Sequence, residues 1–268
     1  MDGIAGSYIA KIENCKNYGK VMITGSGYSY SGAGGIVGVA NNSDTEVIIE
    51  NCTNCGEIQG ESLGGGITSN SNGPTNIINC LNNGNIISKE SSAGGIIAWQ
   101  RGGKLEILNS ANSGIIEGKK AGGIIGNVAG AGWTAILNTY IYNSYNVGQI
   151  ISDTVSGGIV GVKGTLSAKN YLYIENSYNI GKVIGNEYGN AVGKIYSQTD
   201  TKIEFTNVYY TLEPAIGTGS LTSGEATLKS ESEIKSQTFV DLLNSNIGTN
   251  AEWNKWILGN DTYPTFDR

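Results

Sequence analysis

Two short blocks alternate along this chain from near its start to about residue 211, and that alternation limits its possible folds more than any other property. The first block reads apolar, any, Asn, Cys or Ser, any, Asn, any, Gly, any, Ile or Val. It stands as IENCKNYGKV from Ile12, IENCTNCGEI from Ile49, IINCLNNGNI from Ile77, ILNSANSGII from Ile107, IYNSYNVGQI from Ile141 and IENSYNIGKV from Ile174. A seventh copy decays to FTNVYY from Phe205. The leading Asn of each copy is Asn14, Asn51, Asn79, Asn109, Asn143, Asn176 and Asn207, a mean spacing of about 32 residues. The second block, Gly-Gly-Ile-aliphatic-small, starts at Gly34, Gly65, Gly94, Gly122 and Gly157, with a worn copy at Gly189 and a shortened one over Asp2–Gly6.

Aligned copies form columns. Ile12, Ile49, Ile77, Ile107, Ile141, Ile174 and Phe205 share one; Val21, Ile58, Ile86, Ile116, Ile150 and Val183 share another; Ile4, Ile36, Ile67, Ile96, Ile124, Ile159 and Ala191 share a third. A column that stays apolar through every copy, between neighbours that vary, faces the interior of stacked strands. The column holding Glu13, Glu50, Ile78, Leu108, Tyr142 and Glu175 is expected to face solvent. The segment Asn-Cys/Ser-any-Asn-any-Gly is expected to be a tight corner, with Asn in left-handed backbone and Gly at positive φ. Stacked amides there can bond from coil to coil. One unit cannot bury its apolar face alone, whereas a stack can. These features predict an all-β fold: a β-solenoid of about seven repeats over residues 1–211, of either hand.

Composition agrees with this and removes other classes. The 41 Gly residues follow no collagen period, and 39% hydrophobic residues is too many for a disordered chain. A formal charge of −6 offers no basic surface for nucleic acid or an anionic membrane. No apolar run reaches the roughly 18 residues that a membrane helix needs. Repeat-like sequence begins within a few residues of Met1, and no N-terminal cap is legible, so a monomeric fragment of a larger chain is expected.

Beyond Thr211 the blocks stop. Ser230 and Glu233 have capping-box spacing, and Phe239, Leu242 and Leu243 fall on one side of a short helix. Residues 212–268 are expected to cap the last coil, with Trp253, Trp256 and Phe266 buried against its open end near Phe205 and Val208.

Gly35-Ile36-Val37-Gly38, Gly123-Ile124-Ile125-Gly126 and Gly158-Ile159-Val160-Gly161, with the linked Asn143-to-Gly148 block, resemble the GLUG-motif repeats of bacterial surface proteins. The resemblance covers nearly the whole chain, although Ile stands where that family favours Leu and the pattern breaks down at Asn190. It implies a passive module that is secreted or attached to the cell wall, with adhesin-like relatives, and it carries over no catalytic residue.

Candidate chemistry is sparse. Cys52-x-x-Cys55 suggests a metal site, but the chain has four Cys and no His, and Cys15, Cys52 and Cys80 share a column with Ser110, Ser144 and Ser177. Free thiols in a small-residue column are therefore expected, with no metal and no cofactor. Scattered Asp residues and only two Arg leave few acid–base candidates, so no catalytic residue is assigned and the chain is expected not to be an enzyme. The binding candidates are aromatic: Tyr145, Tyr178 and Tyr209 in one column, with Tyr142, Trp99 and Trp133 near it, suited to a glycan or to a host or cell-surface protein. Asn14, Asn51, Asn79, Asn109, Asn143 and Asn176, with Gly35, Gly123 and Gly158, are assigned structural roles. The leading expectation is an adhesin-type stalk or interaction surface. A glycan-binding module beside a secreted enzyme comes second, and a polysaccharide-active β-helix enzyme third.

Overall fold

A computed structural model describes residues 8–24, 32–40, 45–130, 136–164, 169–196, 200–260 and 263–267. It is a parallel β-solenoid, 56% strand and 6% helix. Each turn visits four faces. The first begins with Tyr8–Glu13, Thr45–Glu50 and Thr75–Ile78; the second with Val21–Met22, Ile58–Gly60 and Ile86–Ser88. The third begins with Gly32–Gly34, Leu63–Gly65 and Ser92–Gly94; the fourth with Val37–Ala40, Thr68–Asn72 and the start of Ile97–Leu108. The second and third faces each stack six strands, every pair parallel. There are about five turns rather than the expected seven repeats: the six strands stacked on the second and third faces span five coil-to-coil steps, and the seventh copy adds no strand to either face.

The apolar columns point inward and stack in register. Ile12, Ile49, Ile77, Ile107, Ile141, Ile174 and Phe205 are successive partners, and Ile49, Ile77 and Ile107 are fully buried. Val21 through Val183 line up likewise on the second face. Most outward positions are at least partly exposed, but Leu108, expected to face solvent, is buried. One inward column holds a charge-bearing residue. Lys163 lies between Val128 and Ile195, is fully buried, and its Nζ has no hydrogen-bond partner among the described residues.

The corner has two amide ladders. Each leading Asn has left-handed backbone, with φ between 45° (Asn176) and 58° (Asn14). Asn tolerates this region better than other side chains. The second Asn of each block points inward. Its Nδ2 donates to Oδ1 of the next coil from Asn17 to Asn54 at 2.8 Å, then through Asn82, Asn112 and Asn146 to Asn179 at 2.7 Å each. The other Nδ2 hydrogen reaches the carbonyl two residues on, as from Asn82 to Gly84 at 2.8 Å. Both donor hydrogens of these buried amides are thereby used, which removes the desolvation cost of an unpaired polar group.

The corner glycines do not supply positive φ as expected. They are glycine because the coils crowd: a Cβ on Gly114, Gly148 or Gly181 would fall 2.0 Å from the carbonyl oxygen of the preceding coil's glycine. The second glycine of the Gly-Gly block faces the inner amide ladder in the same way. A Cβ on Gly123 would lie 2.1 Å from Gly158 O and 2.5 Å from Asn146 Cγ. Gly123→Ala should therefore cost about 2 kcal/mol by overpacking, a drop of about 6 °C in melting temperature. Gly38→Ala, whose Cβ would meet nothing within 4 Å, is the matched control and should melt with the parent.

The last coil is covered by chain that follows it. Ile216–Thr218 pairs with Val192–Ile195 on the fourth face, and Thr222–Ser223 and Ala226–Leu228 pair with Thr201–Tyr210 on the first. Helices α1 (Glu231–Ile234) and α2 (Gln237–Ile247) come next. α1 starts with the capping box of Ser230 and Glu233, and α2 is capped by Ser236. α2 buries Phe239, Val240 and Leu243, while Leu242, expected inside, is 36% exposed. A short antiparallel hairpin, Trp256–Leu258 with Pro264–Phe266, ends the described chain.

Candidate functional site: the corner groove and its clasp

The helices and hairpin do not sit on the end of the stack. They run back along its side, over the corner that carries the outer amide ladder and the tyrosine column. Phe239, Val240, Leu243, Trp256 and Phe266 form one buried cluster with Ala111, Tyr145, Tyr178 and Tyr209. Tyr145 and Tyr178 stack coil on coil, centroids 5.2 Å apart and planes within 5°. Phe239 meets Tyr209 edge-on at 5.0 Å. Trp256 lies 5.7 Å from both Tyr145 and Tyr178 and 4.5 Å from Phe266. The expectation that Trp253, Trp256 and Phe266 cover the open end near Phe205 and Val208 is thus corrected. A stacked aromatic column on the flank is the larger apolar surface to cover, and the end is already paired by strands within residues 216–228.

Polar contacts fix the register of this clasp. Nδ2 of Asn109, Asn143 and Asn176 donates to the carbonyls of Glu252 (2.8 Å), Asn254 (3.0 Å) and Leu243 (3.1 Å). The indole N–H of Trp256 donates to Asn143 Oδ1 at 2.7 Å, and Asn254 Nδ2 reaches Asn79 Oδ1 at 2.8 Å. Tyr145 shares a hydrogen bond with Thr265 at 2.8 Å, and the Tyr178 hydroxyl donates to Pro264 O. Burial raises the Tyr178 phenol well above its ordinary range, so it remains a donor.

These contacts overturn the binding shelf expected from the tyrosines. Tyr145, Tyr178 and Tyr209 are 6%, 0% and 5% exposed, and no ligand can reach their faces while the clasp is in place. Tyr142 is half-buried and stacks on Trp253 at 5.8 Å. The half-buried Trp99 ring carries the Arg101 guanidinium 5.3 Å from its centroid and donates from Nε1 to Ala129 O at 2.7 Å. Trp133 lies outside the described residues. A second aromatic ladder joins Tyr140, which the sequence places among the aromatics beside Tyr142, to Tyr173, which it does not single out. Tyr140 and Tyr173 stack at 5.1 Å on the outer side of the first face, with Lys104 and Lys202 over the two rings at 5.5 and 5.6 Å. Its ring faces are occupied by one another and by ammonium groups, so a sugar has no open ring on which to stack.

The cysteine column explains its own exchange with serine. Ser110, Ser144 and Ser177 each accept through Oγ from the backbone N–H of the preceding coil at 3.1–3.2 Å. Cys52 Sγ accepts from Cys15 N at 3.4 Å in the same way. Each also donates to the carbonyl two residues back, as Ser110 does to Leu108 and Cys52 to Glu50. All four cysteines are free, with Cys52 and Cys80 buried. Hydrogen bonding, first from the Cys80 thiol, holds the Cys52 thiol below its ordinary range against the effect of burial. No group of three or more His, Cys, Asp or Glu among the described residues is placed to hold a metal ion.

No family model matches the chain, and no curated protein matches it. Among solved structures it is similar to one described as "a putative immunoglobulin A1 protease from Bacteroides ovatus", at 20% identity and a TM-score of 0.50. The match covers 88% of this chain and 64% of that one, so this chain spans under two thirds of that protein's length. At that identity the likeness speaks for architecture alone, and with the stacked columns and ladders it makes this chain a parallel β-solenoid.

Proposed function

We propose that the chain is a non-catalytic module of a bacterial extracellular or wall-attached protein, built from GLUG-type repeats and serving as a stiff spacer that presents an interaction surface. One observation carries the reading: an amide ladder unbroken from Asn17 to Asn179 and buried from Asn54 onward, with each bond directed along the stack. Strand pairing and amide bonds both join coil to coil, so pulling the ends apart must break them in sequence. The resemblance to GLUG-motif repeats supports an extracellular setting. The GLUG-type resemblance carries over no catalytic residue, and the module is read as passive.

Stretching the chain between its termini in a single-molecule instrument tests this. The clasp should release first, followed by steps of about 100 Å, the length of one extended 32-residue coil. Extension in one low-force event without coil-sized steps would overturn the spacer role.

A further inference from the structure

The clasp does not cover the whole corner. Under it, the outer ladder from Asn79 to Asn176 bonds to tail carbonyls or amides. Asn51 has the same left-handed backbone, φ 54°, but emerges exposed beyond the clasp's edge. Where the ladder emerges there is a cavity of about 290 Å³ lined by Asn51, Thr53, Asn79, Asn254 and Asp267. Its frame is fixed. Asn254 Nδ2 holds Asn79 Oδ1 at 2.8 Å, Asn79 Nδ2 holds Asn51 Oδ1 at 3.1 Å, and the Asp267 backbone N–H is anchored to Lys255 O at 3.0 Å.

Three groups retain hydrogen-bonding capacity among the described residues: the Asn51 Nδ2 donor, the Thr53 hydroxyl and the Asp267 carboxylate. The carboxylate repels anions. A calcium ion needs about six to eight oxygens, yet Asn51 Oδ1 and Asn79 Oδ1 already accept amide hydrogens. A volume near the lower end of the ~300–1,000 Å³ range of small-molecule sites suits one ring. A carboxylate beside an amide donor and a hydroxyl matches adjacent hydroxyls, each of which both donates and accepts.

We propose that this pocket binds a single neutral sugar residue, such as the exposed terminus of a glycan. The proposal deepens the reading of the chain as an interaction module by giving its surface a ligand class, and it rests on that reading. The site is separate from the tyrosine column and needs no open aromatic ring.

The test uses the whole chain, labelled with nitrogen-15, titrated with glucose, galactose, mannose and N-acetylglucosamine. At least one sugar should shift the side-chain amides of Asn51, Asn79 and Asn254, with a dissociation constant in the millimolar range, about −4 kcal/mol at 1 mM. Asp267→Asn and Asn51→Gly, the latter keeping the left-handed backbone accessible, should each weaken that sugar about tenfold and leave the melting temperature unchanged. The proposal fails if no sugar shifts these amides, if the shifts lie elsewhere, or if both variants bind as the parent does. It fails equally if calcium or a short extended peptide shifts them and the sugars do not. Extension measurements are indifferent to these substitutions, so failure of the pocket and failure of the spacer are distinguishable.

Discussion

Trp256→Ala should destabilise the protein by about 4 kcal/mol, within the range for deleting a large buried aromatic. That corresponds to a fall of about 10 °C in melting temperature for a chain of this size. Trp256 is 1% exposed, touches Tyr145, Tyr178 and Phe266, and donates its indole N–H to Asn143. Alanine leaves a cavity at the centre of the clasp and removes the donor to a buried amide oxygen. The loss should be concentrated in the coils that the clasp covers. Hydrogen exchange should quicken around Tyr145 and Tyr178 and leave Ile49 and Ile58 at parental protection, since a repeat stack responds mainly through neighbouring units. Deleting residues 231–268 should have the same pattern with a larger amplitude, and should expose the stacked tyrosines to solvent. Equal loss of protection along the whole array would show that the segment acts through some other contact.

Lys163→Met should stabilise the protein, and by an amount that depends on pH. Burial pushes the Lys163 ammonium down to about 7 from an ordinary 10.5. Below about pH 7 the folded chain carries the full cost of keeping the charge out of water. Between there and about pH 10.5 the unfolded chain holds a proton that the folded chain has released, so parental stability climbs through this window as pH rises. Methionine fills similar space between Val128 and Ile195 without that cost. At about 1.4 kcal/mol per unit the shift bounds the gain near 5 kcal/mol; with local relaxation about 3 kcal/mol is expected at pH 6, fading toward zero by pH 10.5. Urea unfolding at pH 6, 8 and 10 measures it. A gain of equal size at all three values would mean that packing, and not charge, separates the two side chains.

The inward columns were legible because burial against a neighbouring coil imposes the same demand on every copy. Ile49, Ile77 and Ile107 answer it identically. The Cys-to-Ser exchange was legible for a related reason: thiol and hydroxyl accept the same N–H. The glycines of the corner were recognised, but for the wrong cause. A composition pattern cannot separate a residue that needs positive φ from one that must let a carbonyl oxygen approach, and both demands select glycine. The tyrosine column was misread because a repeat reports only what stacks above and below it. What lies over Tyr178 from the side comes from a tail used once, with no second copy to align. Trp256 and Phe266 did signal that something needed burial, yet nothing in their spacing said where. The Asn79–Asn254 contact, which builds the proposed pocket, joins residues 175 apart and has no local signature.

The two amide ladders at the corner run in opposite senses. In the inner one each side chain gives its hydrogen toward the later coil, from Asn17 through to Asn179. In the outer one Asn79 gives to Asn51, Asn143 to Asn109 and Asn176 to Asn143, toward the earlier coil. Each row alone would accumulate polarity along the stack as aligned peptide units do in a helix. Set side by side and opposed, they offset one another in part, so the field at either end grows more slowly as coils are added. The inner row also has a terminus written into it: the register partner of Asn179 in the following coil is Tyr210, a side chain with no amide to pass the bond on. Lengthening such an array therefore means inserting coils before that tyrosine, where every newcomer finds a donor on one side and an acceptor on the other.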